Sequence, residues 1–257
     1  MNARAADSAA AQAGAGRLGT LYLIPTGLGS GDTVPILPPA TLAVLSGLHR
    51  FIVENPKSAR RFLKSAGYPH PLSEASMQTL DEHTAAARLP ELIAPILAGE
   101  DCGLVSEAGC PAVADPGADL VRLAHERGVR VAPLVGPSAV LLALMASGLN
   151  GQRFEFHGYL PIDAGQRARR LRELEDQAER TGATQIFIET PYRNDAVFQA
   201  VLDHCRDDTL LCVAVDLTLP SEAIATRTIA EWKKNRPPLN RRPAVFLLGC
   251  PDATPRK

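Results

Sequence analysis

The sequence predicts an α/β protein of two domains, and three observations lead to that prediction. Short apolar runs that end at proline or glycine alternate with stretches of helical spacing through the first half of the chain. This alternation is typical of βαβ units, which build a mostly parallel sheet with helices on both faces. A second series of the same kind begins near residue 154, after a breaker loop at 133–137. With 257 residues, of which 46% are hydrophobic, the chain is long enough for two modest cores.

The first half alternates between the two kinds of element. Strands are predicted at 21–24, 50–53, 102–105 and 129–132. Helices are predicted at 39–48, 58–66, 89–98 and 119–127. Three of these helices end at a glycine, which leaves a helix at low conformational cost. Residues 68–87 are polar and are predicted to be irregular.

A long apolar helix is predicted over 139–147, with Ser138 as its N-cap and Gly148 just past its end. Because this helix is apolar nearly all round, we expect it to be buried between layers or domains. Met145 within it, and Met77, are expected to fill core space. The second half is further predicted to contain strands at 154–156, 185–188, 210–215 and 244–248, and helices at 164–180, 195–205 and 228–234. The predicted domains are 18–135 and 136–250, with loose tails at 1–17 and 251–257.

Composition narrows the function classes. The formal net charge is −1, so binding to RNA would require local basic patches. The five cysteines are scattered and form no CxxC pair, which argues against a zinc site and a disulfide framework and fits a reducing cytoplasm. No apolar run approaches ~20 residues, so we expect no membrane span. Residues 1–17 also lack the apolar core of a signal peptide.

The segment from Gly103 to Leu120 carries the strongest functional signal. It reads as a buried strand, a loop of small residues and prolines, and the start of a helix. In open α/β sheets, ligands bind at the carboxyl ends of the strands. Small residues there let a flat ligand approach the main chain, although a tight connection without any ligand would have the same composition.

This segment resembles the Val-Ser-Asp-Ala-Gly-Thr-Pro…Ser-Asp-Pro-Gly signature of the RsmI-like methyltransferases. Those enzymes form a branch of the tetrapyrrole methylase superfamily, the class III S-adenosylmethionine-dependent methyltransferases. The blocks at 133–138, 146–149 and 154–161 are similar to further family motifs, and weaker matches lie at 21–26 and 189–193. Glu107 stands where the family has Asp, and Cys110 stands where it has Thr or, in the tetrapyrrole branch, Asp. The run at 54–60 also departs from the family's acidic-Thr-Arg motif, so the chain resembles a divergent member.

The resemblance implies the two-domain class III fold, with a mostly parallel sheet in the N-terminal domain and a mixed sheet in the C-terminal domain. It implies that S-adenosylmethionine binds in the cleft between the domains, with the glycine-containing loop 25–31 facing the methyl acceptor. Ser138 would offer its hydroxyl and helix amides to the cofactor carboxylate. It also implies a homodimer, no metal, and the ribose 2′-hydroxyl of small-subunit ribosomal RNA as acceptor. The implied cofactor contacts are Pro25, Gly109, Cys110, Pro111, Val113, Ala114, Ser138, Leu217, Thr218, Pro243 and Ala244.

Methyl transfer from a sulfonium demands positioning, and a general base helps only when the acceptor is a weak hydroxyl. Glu54 and Glu189 are the predicted catalytic carboxylates, with Asp216 as a further candidate. Strand-end carboxylates also commonly cap helices or pair with arginine. Two groups of cations could hold RNA phosphates or lie on solvated helix faces: Arg167, Arg169, Arg170 and Arg172 in one helix, and Arg60, Arg61, Lys64, Lys233, Lys234, Arg241 and Arg242 elsewhere.

Three functions remain open at this point. The chain could methylate RNA ribose, methylate a tetrapyrrole or another small molecule on the same scaffold, or bind S-adenosylmethionine without catalysis. Fold alone does not decide among them. Binding of S-adenosylmethionine and transfer of a labelled methyl group to RNA or to a macrocycle would separate them.

Overall fold

The computed structural model of the chain describes residues 17–29 and 36–250. These residues form two units, the first made of the chain up to Gly27 and from 36 to Pro137, the second of Leu28, Gly29 and the chain from Ser138. Residues 1–16 and 251–257 of the predicted tails, and Gly31 of the predicted glycine loop, lie outside the described residues. Within that part of the chain, no helix is both long enough and apolar enough to cross a membrane.

The first unit is built on a five-stranded sheet in which every neighbouring pair is parallel, in the order β3-β2-β4-β1-β5. Its strands are β1 (Thr20–Ile24), β2 (Arg50–Val53), β3 (Ser76–Thr79), β4 (Cys102–Val105) and β5 (Arg130–Pro133). Its helices are α1 (Pro39–Ser46), α2 (Pro56–Ser65), α3 (Leu89–Leu97) and α4 (Ala118–Glu126), with a short 3-10 helix at Ala86–Arg88. The predicted parallel sheet is confirmed.

Helices cover both faces of this sheet, because successive strand residues point to opposite sides. On one face Leu21, Ile52 and Leu104 pack with residues of α3 and α4. On the other face Ile24 and Phe51 pack with residues of α1 and α2. Parallel strands that are buried on both faces read as continuous apolar runs, and this is why periodicity found β1, β2 and β4.

The prediction that 68–87 is irregular was wrong at β3. Its sequence, Ser-Met-Gln-Thr, has one apolar residue, and the strand lies at the edge of the sheet against β2. An edge strand is covered on fewer sides than a central one, so its sequence needs less apolar character. Met77 packs against the core cluster as expected.

The second unit has a mixed sheet in the order β6-β7-β10-β8-β9, as the resemblance implies. β6 and β7 are parallel, whereas β10 is antiparallel to both β7 and β8, and β9 is antiparallel to β8. Its strands are β6 (Phe154–Tyr159), β7 (Thr184–Glu189), β8 (Leu210–Val215), β9 (Ala223–Thr228) and β10 (Ala244–Gly249). Its helices are α5 (Ala139–Ser147), α6 (Ala164–Thr181), α7 (Asn194–His204) and α8 (Ile229–Lys234). The strand β9, which pairs only with β8, was not predicted.

The helix α5 has the predicted bounds but not the predicted burial. The hydroxyl of Ser138 caps its first turn, and Gly148 ends it in the left-handed conformation. Ala143 and Leu144 pack against the sheet. Leu141 and Met145, however, are 50% and 79% exposed, so the expectations of an all-round buried helix and of Met145 as core filler were wrong. Because α5 is apolar on all sides, its sequence does not show which face packs against the sheet. The face that carries Leu141 and Met145 is not covered by any part of the described chain.

Candidate active site

The loops that follow β1 and β4 meet at the carboxyl edge of the first unit's sheet. β1 and β4 are neighbours, but the chain leaves β1 towards β2 and leaves β4 towards β5, in opposite directions across the sheet. The main-chain N–H of Thr26 donates to the carbonyl of Gly109 over 2.9 Å and joins the two loops. Such a point of reversal is where ligands bind in open α/β sheets.

The loop after β4, residues 106–117, is held in a conformation that side-chain-bearing residues rarely adopt. Ala112 and Ala114 have φ angles of 64° and 63°, and Gly109 and Gly117 also have positive φ. Left-handed backbone costs an L residue roughly 1–2 kcal/mol, and strain of this kind gathers at ligand sites. The loop contains five predicted cofactor contacts, which the fold therefore brings together: Gly109, Cys110, Pro111, Val113 and Ala114.

A buried hydroxyl at the same edge lacks a partner. Thr26 is 2% exposed, and its Oγ1 has no hydrogen bond among the described residues. Its neighbour Pro25, a predicted cofactor contact, lies so close to Gly136 that a Cβ there would be 2.3 Å from the Cβ of Pro25. An unpaired buried hydroxyl costs about 1–3 kcal/mol, which a polar ligand would remove. This edge of the sheet thus fits a flat, polar ligand such as the predicted cofactor, because the ligand can approach the main chain closely and can bond to the hydroxyl of Thr26.

The thiol of Cys110 supports the loop from within. Its Sγ donates to the carbonyl of Pro137 over 3.4 Å. Burial raises the pKa of this thiol above its ordinary value. A neutral thiol is a poor nucleophile, and this contact joins the loop after β4 to the loop after β5.

Three carboxyl groups lie around the ends of β2 and β4. A carboxylate oxygen of Glu54 accepts the main-chain N–H of Glu107 over 3.3 Å, and Glu107 in turn accepts the hydroxyl of Ser58 over 2.8 Å. Burial raises the pKa of Glu54, and the charge of Glu107 adds to the effect. The pKa of Asp115 is raised to about 6, chiefly by burial and then by the negative charge of Glu54.

Asp115 was missed at the sequence level although it stands in the Ala-Asp-Pro-Gly run that carries the resemblance. The signal that singles it out is its burial beside other carboxylates, which a single sequence does not display. Of the predicted catalytic residues, only Glu54 lies in this group.

The predicted contacts of the second unit also lie together, at one edge of its sheet. Ala244 pairs with Val215 across β10 and β8, and the N–H of Asp216 donates to the carbonyl of Pro243 over 3.0 Å. Asp216 and Thr218 have φ angles of 51° and 70°, which shapes the turn after β8. The hydroxyl of Thr218 is buried without a hydrogen-bond partner in the described chain. The fold thus brings together Leu217, Thr218, Pro243 and Ala244.

Two of the predicted bases are occupied by structural contacts. Glu189 is buried, forms an ion pair with Arg193 at 2.9 Å, and accepts the N–H of Thr190 over 2.8 Å. Asp216 accepts the Nε of Arg242 over 2.8 Å and the hydroxyl of Ser221 over 2.7 Å. These contacts match the alternative, structural interpretation of both carboxylates. We therefore do not carry Glu189 or Asp216 forward as bases.

Ser138 and two arginines of α6 are likewise engaged within the second unit. The hydroxyl of Ser138 accepts the N–H of Leu141 over 3.4 Å, so it serves its own helix as predicted. Arg167 donates to the carbonyl of Ile162 over 2.9 Å. Arg170 pairs with Glu173 and approaches His157. These two arginines stabilise the unit itself, whereas Arg169 and Arg172 of the same helix are exposed and have no ion pair among the described residues.

No group of three or more His, Cys, Asp or Glu side chains within the described ranges could hold a metal ion.

A model of the family Tetrapyrrole (Corrin/Porphyrin) Methylases matches residues 20–233. The chain belongs to this family. The resemblance read from the loop motifs and the prediction of a methyltransferase are therefore confirmed.

Curated relatives of this methylase have one name in common. The "Ribosomal RNA small subunit methyltransferase I" of Pseudomonas aeruginosa is 32% identical over 213 residues, 83% of this chain and 71% of that protein. The Vibrio cholerae protein of the same name is 32% identical over 82% of this chain and 69% of its own length. The Mesorhizobium japonicum protein is 40% identical over 58% of this chain, a match that spans 49% of that protein.

A solved structure supports the fold. The crystal structure of the methyltransferase CobJ matches this methylase with a TM-score of 0.60 and 20% identity, and the match covers 91% of this chain and 95% of that one. The predicted fold class, a parallel sheet followed by a mixed sheet in the tetrapyrrole methylase arrangement of elements, is confirmed.

Proposed function

We propose that this methylase transfers a methyl group from S-adenosylmethionine to the ribose 2′-hydroxyl of small-subunit ribosomal RNA. The observation that carries the proposal is the 32% identity to proteins named for small-subunit ribosomal RNA over more than four fifths of this chain. The joined loops after β1 and β4 support the cofactor part, because they combine an unused buried hydroxyl with a small-residue backbone.

In this proposal the chain binds the cofactor mainly through the shape of its loop backbone. The main chain of Gly109 to Ala114 and the hydroxyl of Thr26 bind the cofactor in the first unit. The cofactor, when bound, supplies a methyl group on a sulfonium. Leu217, Thr218, Pro243 and Ala244 of the second unit, together with Ser138, stay predicted contacts. Left-handed residues in both sets of loops mean that the backbone is already shaped before binding, which limits the entropy lost on binding.

We assign the general base to Asp115, with Glu54 beside it. A base works best when its pKa lies near the operating pH, and the raised pKa of Asp115 at about 6 meets that condition. The carboxylate would accept the hydroxyl proton as the ribose oxygen displaces the methyl group from the sulfonium, whose S–CH3 bond breaks to leave a neutral thioether. Glu54, whose pKa is also raised, keeps Asp115 basic through its negative charge.

We further propose that the protein is a homodimer of the cytoplasm. Leu141 and Met145 lie one turn apart on α5 and are both exposed, and in this proposal the second copy of the chain covers them. The cysteines Cys102, Cys110, Cys205, Cys212 and Cys250 are all unpaired, as a reducing compartment requires. Light scattering tests the dimer, since Met145→Lys should then give a monomer.

The test of the main proposal is transfer of a labelled methyl group. Small-subunit RNA from cells that lack this protein should take up label, and the same RNA from wild-type cells should not, because its site is already methylated. A uroporphyrinogen-type macrocycle is the competing acceptor. Label on the macrocycle alone would replace the RNA proposal with a small-molecule methylase.

Calorimetry with S-adenosylmethionine, combined with the transfer assay, distinguishes an active methyltransferase from a protein that binds the cofactor without catalysis. Binding with transfer supports the proposal, whereas binding with no transfer to any acceptor would show a module that has lost catalysis. The matched pair Asp115→Asn and Asp119→Asn adds a check at residue level, since Asp119 is an exposed carboxylate four residues along the chain. Only Asp115→Asn should lose methyl transfer, and both variants should still bind the cofactor.

A further inference from the structure

An exposed aromatic ring and an arginine face each other at the carboxyl edge of β7. Tyr192, in the loop after β7, is 79% exposed. The guanidinium carbon of Arg241 lies 5.8 Å from the centre of the Tyr192 ring, within the range of a cation–π contact. Neither side chain has a part in the methyl-transfer chemistry proposed above, so their pairing at the surface calls for another explanation.

The sheet brings several loops to this edge. β6 runs parallel to β7, with Tyr159 opposite Ile188, and β10 runs antiparallel to β7, with Ala244 opposite Glu189. The end of β6, the end of β7 and the start of β10 therefore lie side by side. Ile162, just past β6, is also 79% exposed, so the loops at this edge carry a second exposed apolar side chain.

The ring stands on a fixed support. The main-chain N–H of Arg241 donates to the carbonyl of Pro191 over 3.2 Å. The side-chain amide of Asn194 donates to the carbonyl of Arg242 over 2.6 Å, and the buried ion pair of Glu189 with Arg193 lies beneath the same loop. A large ring on a rigid loop loses little conformational entropy when it binds a partner.

Arg241, which faces the ring, belongs to a cationic segment of the chain. Residues 233–242 contain five cations and no carboxylate, in a chain whose net charge is −1. Lys233 pairs with Asp207, and Arg242 pairs with Asp216. The remaining three, all exposed, have no ion pair among the described residues, and they are Lys234, Arg236 and Arg241. This local excess favours a polyanion as the partner.

We propose that this edge is a docking site for single-stranded RNA, in which a base stacks on Tyr192 and Arg241 contacts a neighbouring phosphate. Proteins that bind single strands combine exposed aromatic rings with a cationic track, and both components are present here. The inference rests on the proposed function and adds to it the surface that holds the acceptor strand.

The experiment is an anisotropy titration of the full chain with a short fluorescein-labelled single-stranded RNA. Tyr192→Ala should weaken the Kd roughly 5- to 150-fold, the equivalent of about 1–3 kcal/mol per stacked base. Arg241→Ala should weaken binding and reduce the slope of log K against log salt by about 0.7, as expected for one lost phosphate contact.

Two control variants make the result specific. Tyr192→Phe keeps the ring and should leave the Kd unchanged. Phe154→Ala removes another exposed aromatic, 43% exposed and at the opposite end of β6, and should also leave the Kd unchanged. Calorimetry with S-adenosylmethionine should give the wild-type result for every variant, which shows that each has folded.

The outcomes distinguish this inference from the function on which it rests. If Tyr192→Ala binds RNA like the wild type while the wild type methylates RNA, the docking site is wrong and the proposed function stands. A change in molecular mass for Tyr192→Ala, with RNA binding intact, would assign the ring to a second copy of the chain and overturn the inference. A wild-type chain that neither binds nor methylates any RNA would overturn the proposed function itself.

Discussion

The side chain of Glu54 accepts the main-chain N–H of Glu107 over 3.3 Å, so the end of β2 is joined directly to the loop after β4. This contact places a second carboxylate near Asp115. The charge of Glu54 is the largest electrostatic cause, after burial, of the raised pKa of Asp115. The protonation of Asp115 therefore depends on two loops at once, and it can be tested by both activity and stability.

We predict that the rate of methyl transfer by the wild type rises with pH through an apparent pKa near 6, as Asp115 ionises. Asp115→Asn should lower the single-turnover rate roughly 10²- to 10⁴-fold, the usual contribution of a positioned base. It should also abolish the rise with pH. Single-turnover transfer of labelled methyl between about pH 5 and pH 8 measures both effects. A variant that keeps the rise with pH would remove Asp115 from the chemistry.

We predict that Asp115→Asn stabilises the fold at neutral pH. The folded pKa of about 6 is above the ordinary value of 3.8, so the folded state binds the proton more tightly than the unfolded state. Stability therefore falls as pH rises from about 4 to 6, and the cost of the buried charge is fully present above that window. Because the group is partly exposed, we expect only about 1 kcal/mol at pH 7.

Urea unfolding at two pH values checks this stability effect. The variant and the wild type should have nearly equal free energies of unfolding near about pH 3, where the carboxyl group of the wild type is largely protonated in both the folded and the unfolded state. A variant that is less stable than the wild type at neutral pH would show that the carboxylate is held by favourable contacts instead.

We predict that Thr26→Val and Thr41→Val have opposite effects on stability. Both threonines are 2% exposed, but the hydroxyl of Thr41 donates to the carbonyl of Val135 over 2.7 Å, whereas that of Thr26 has no partner among the described residues. Loss of an unpaired hydroxyl should stabilise the chain by about 1 kcal/mol, and loss of the paired one should destabilise it by about 1–3 kcal/mol.

Calorimetry extends this comparison to the cofactor. Thr26→Val should weaken binding of S-adenosylmethionine although it stabilises the fold, because the hydroxyl is kept for the ligand. Equal affinity for Thr26→Val and the wild type would mean that the hydroxyl does not face the cofactor.

We predict that Gly136→Ala destabilises the first unit and weakens cofactor binding. The new Cβ would lie 2.3 Å from the Cβ of Pro25, so the loops after β1 and β5 would have to separate. Overpacking of this kind costs about 1–3 kcal/mol. Gly151→Ala is the matched control, because a Cβ at Gly151 has no atom within 4 Å. Urea unfolding and calorimetry of the two variants provide the comparison.

The elements that carry strong local signals were predictable to within a residue or two. Ser138 and Gly148 bound α5 because a side-chain cap and a left-handed glycine are local chemistry. β2 and β8 have the predicted bounds because buried strands are apolar throughout. The edge strands β3 and β9 lack that signal and were missed, whereas the edge strands β5 and β6 were predicted.

The candidate site was predictable only where a sequence motif itself forms the expected ligand-binding loop. The loop after β4 was found from its glycines and prolines, and the structure joins it to the loop after β1. Asp115, Thr26 and Tyr192 were not assigned roles. Each is distinguished by a property of the folded chain, namely a shifted pKa, an unpaired hydroxyl and an exposed ring. Such properties arise from residues far apart in sequence.

The strand order of the first unit has a consequence for synthesis on the ribosome. β1 is made first, yet its two neighbours in the sheet are β4 and β5, which emerge last in this unit, β5 more than a hundred residues after β1. At usual elongation rates this is a delay of roughly 5 to 20 s. Both backbone edges of β1 lack their partners until β4 emerges, and one edge still lacks its partner until β5 follows. During this time the nascent chain depends on chaperones or on transient contacts to keep this apolar strand from aggregating.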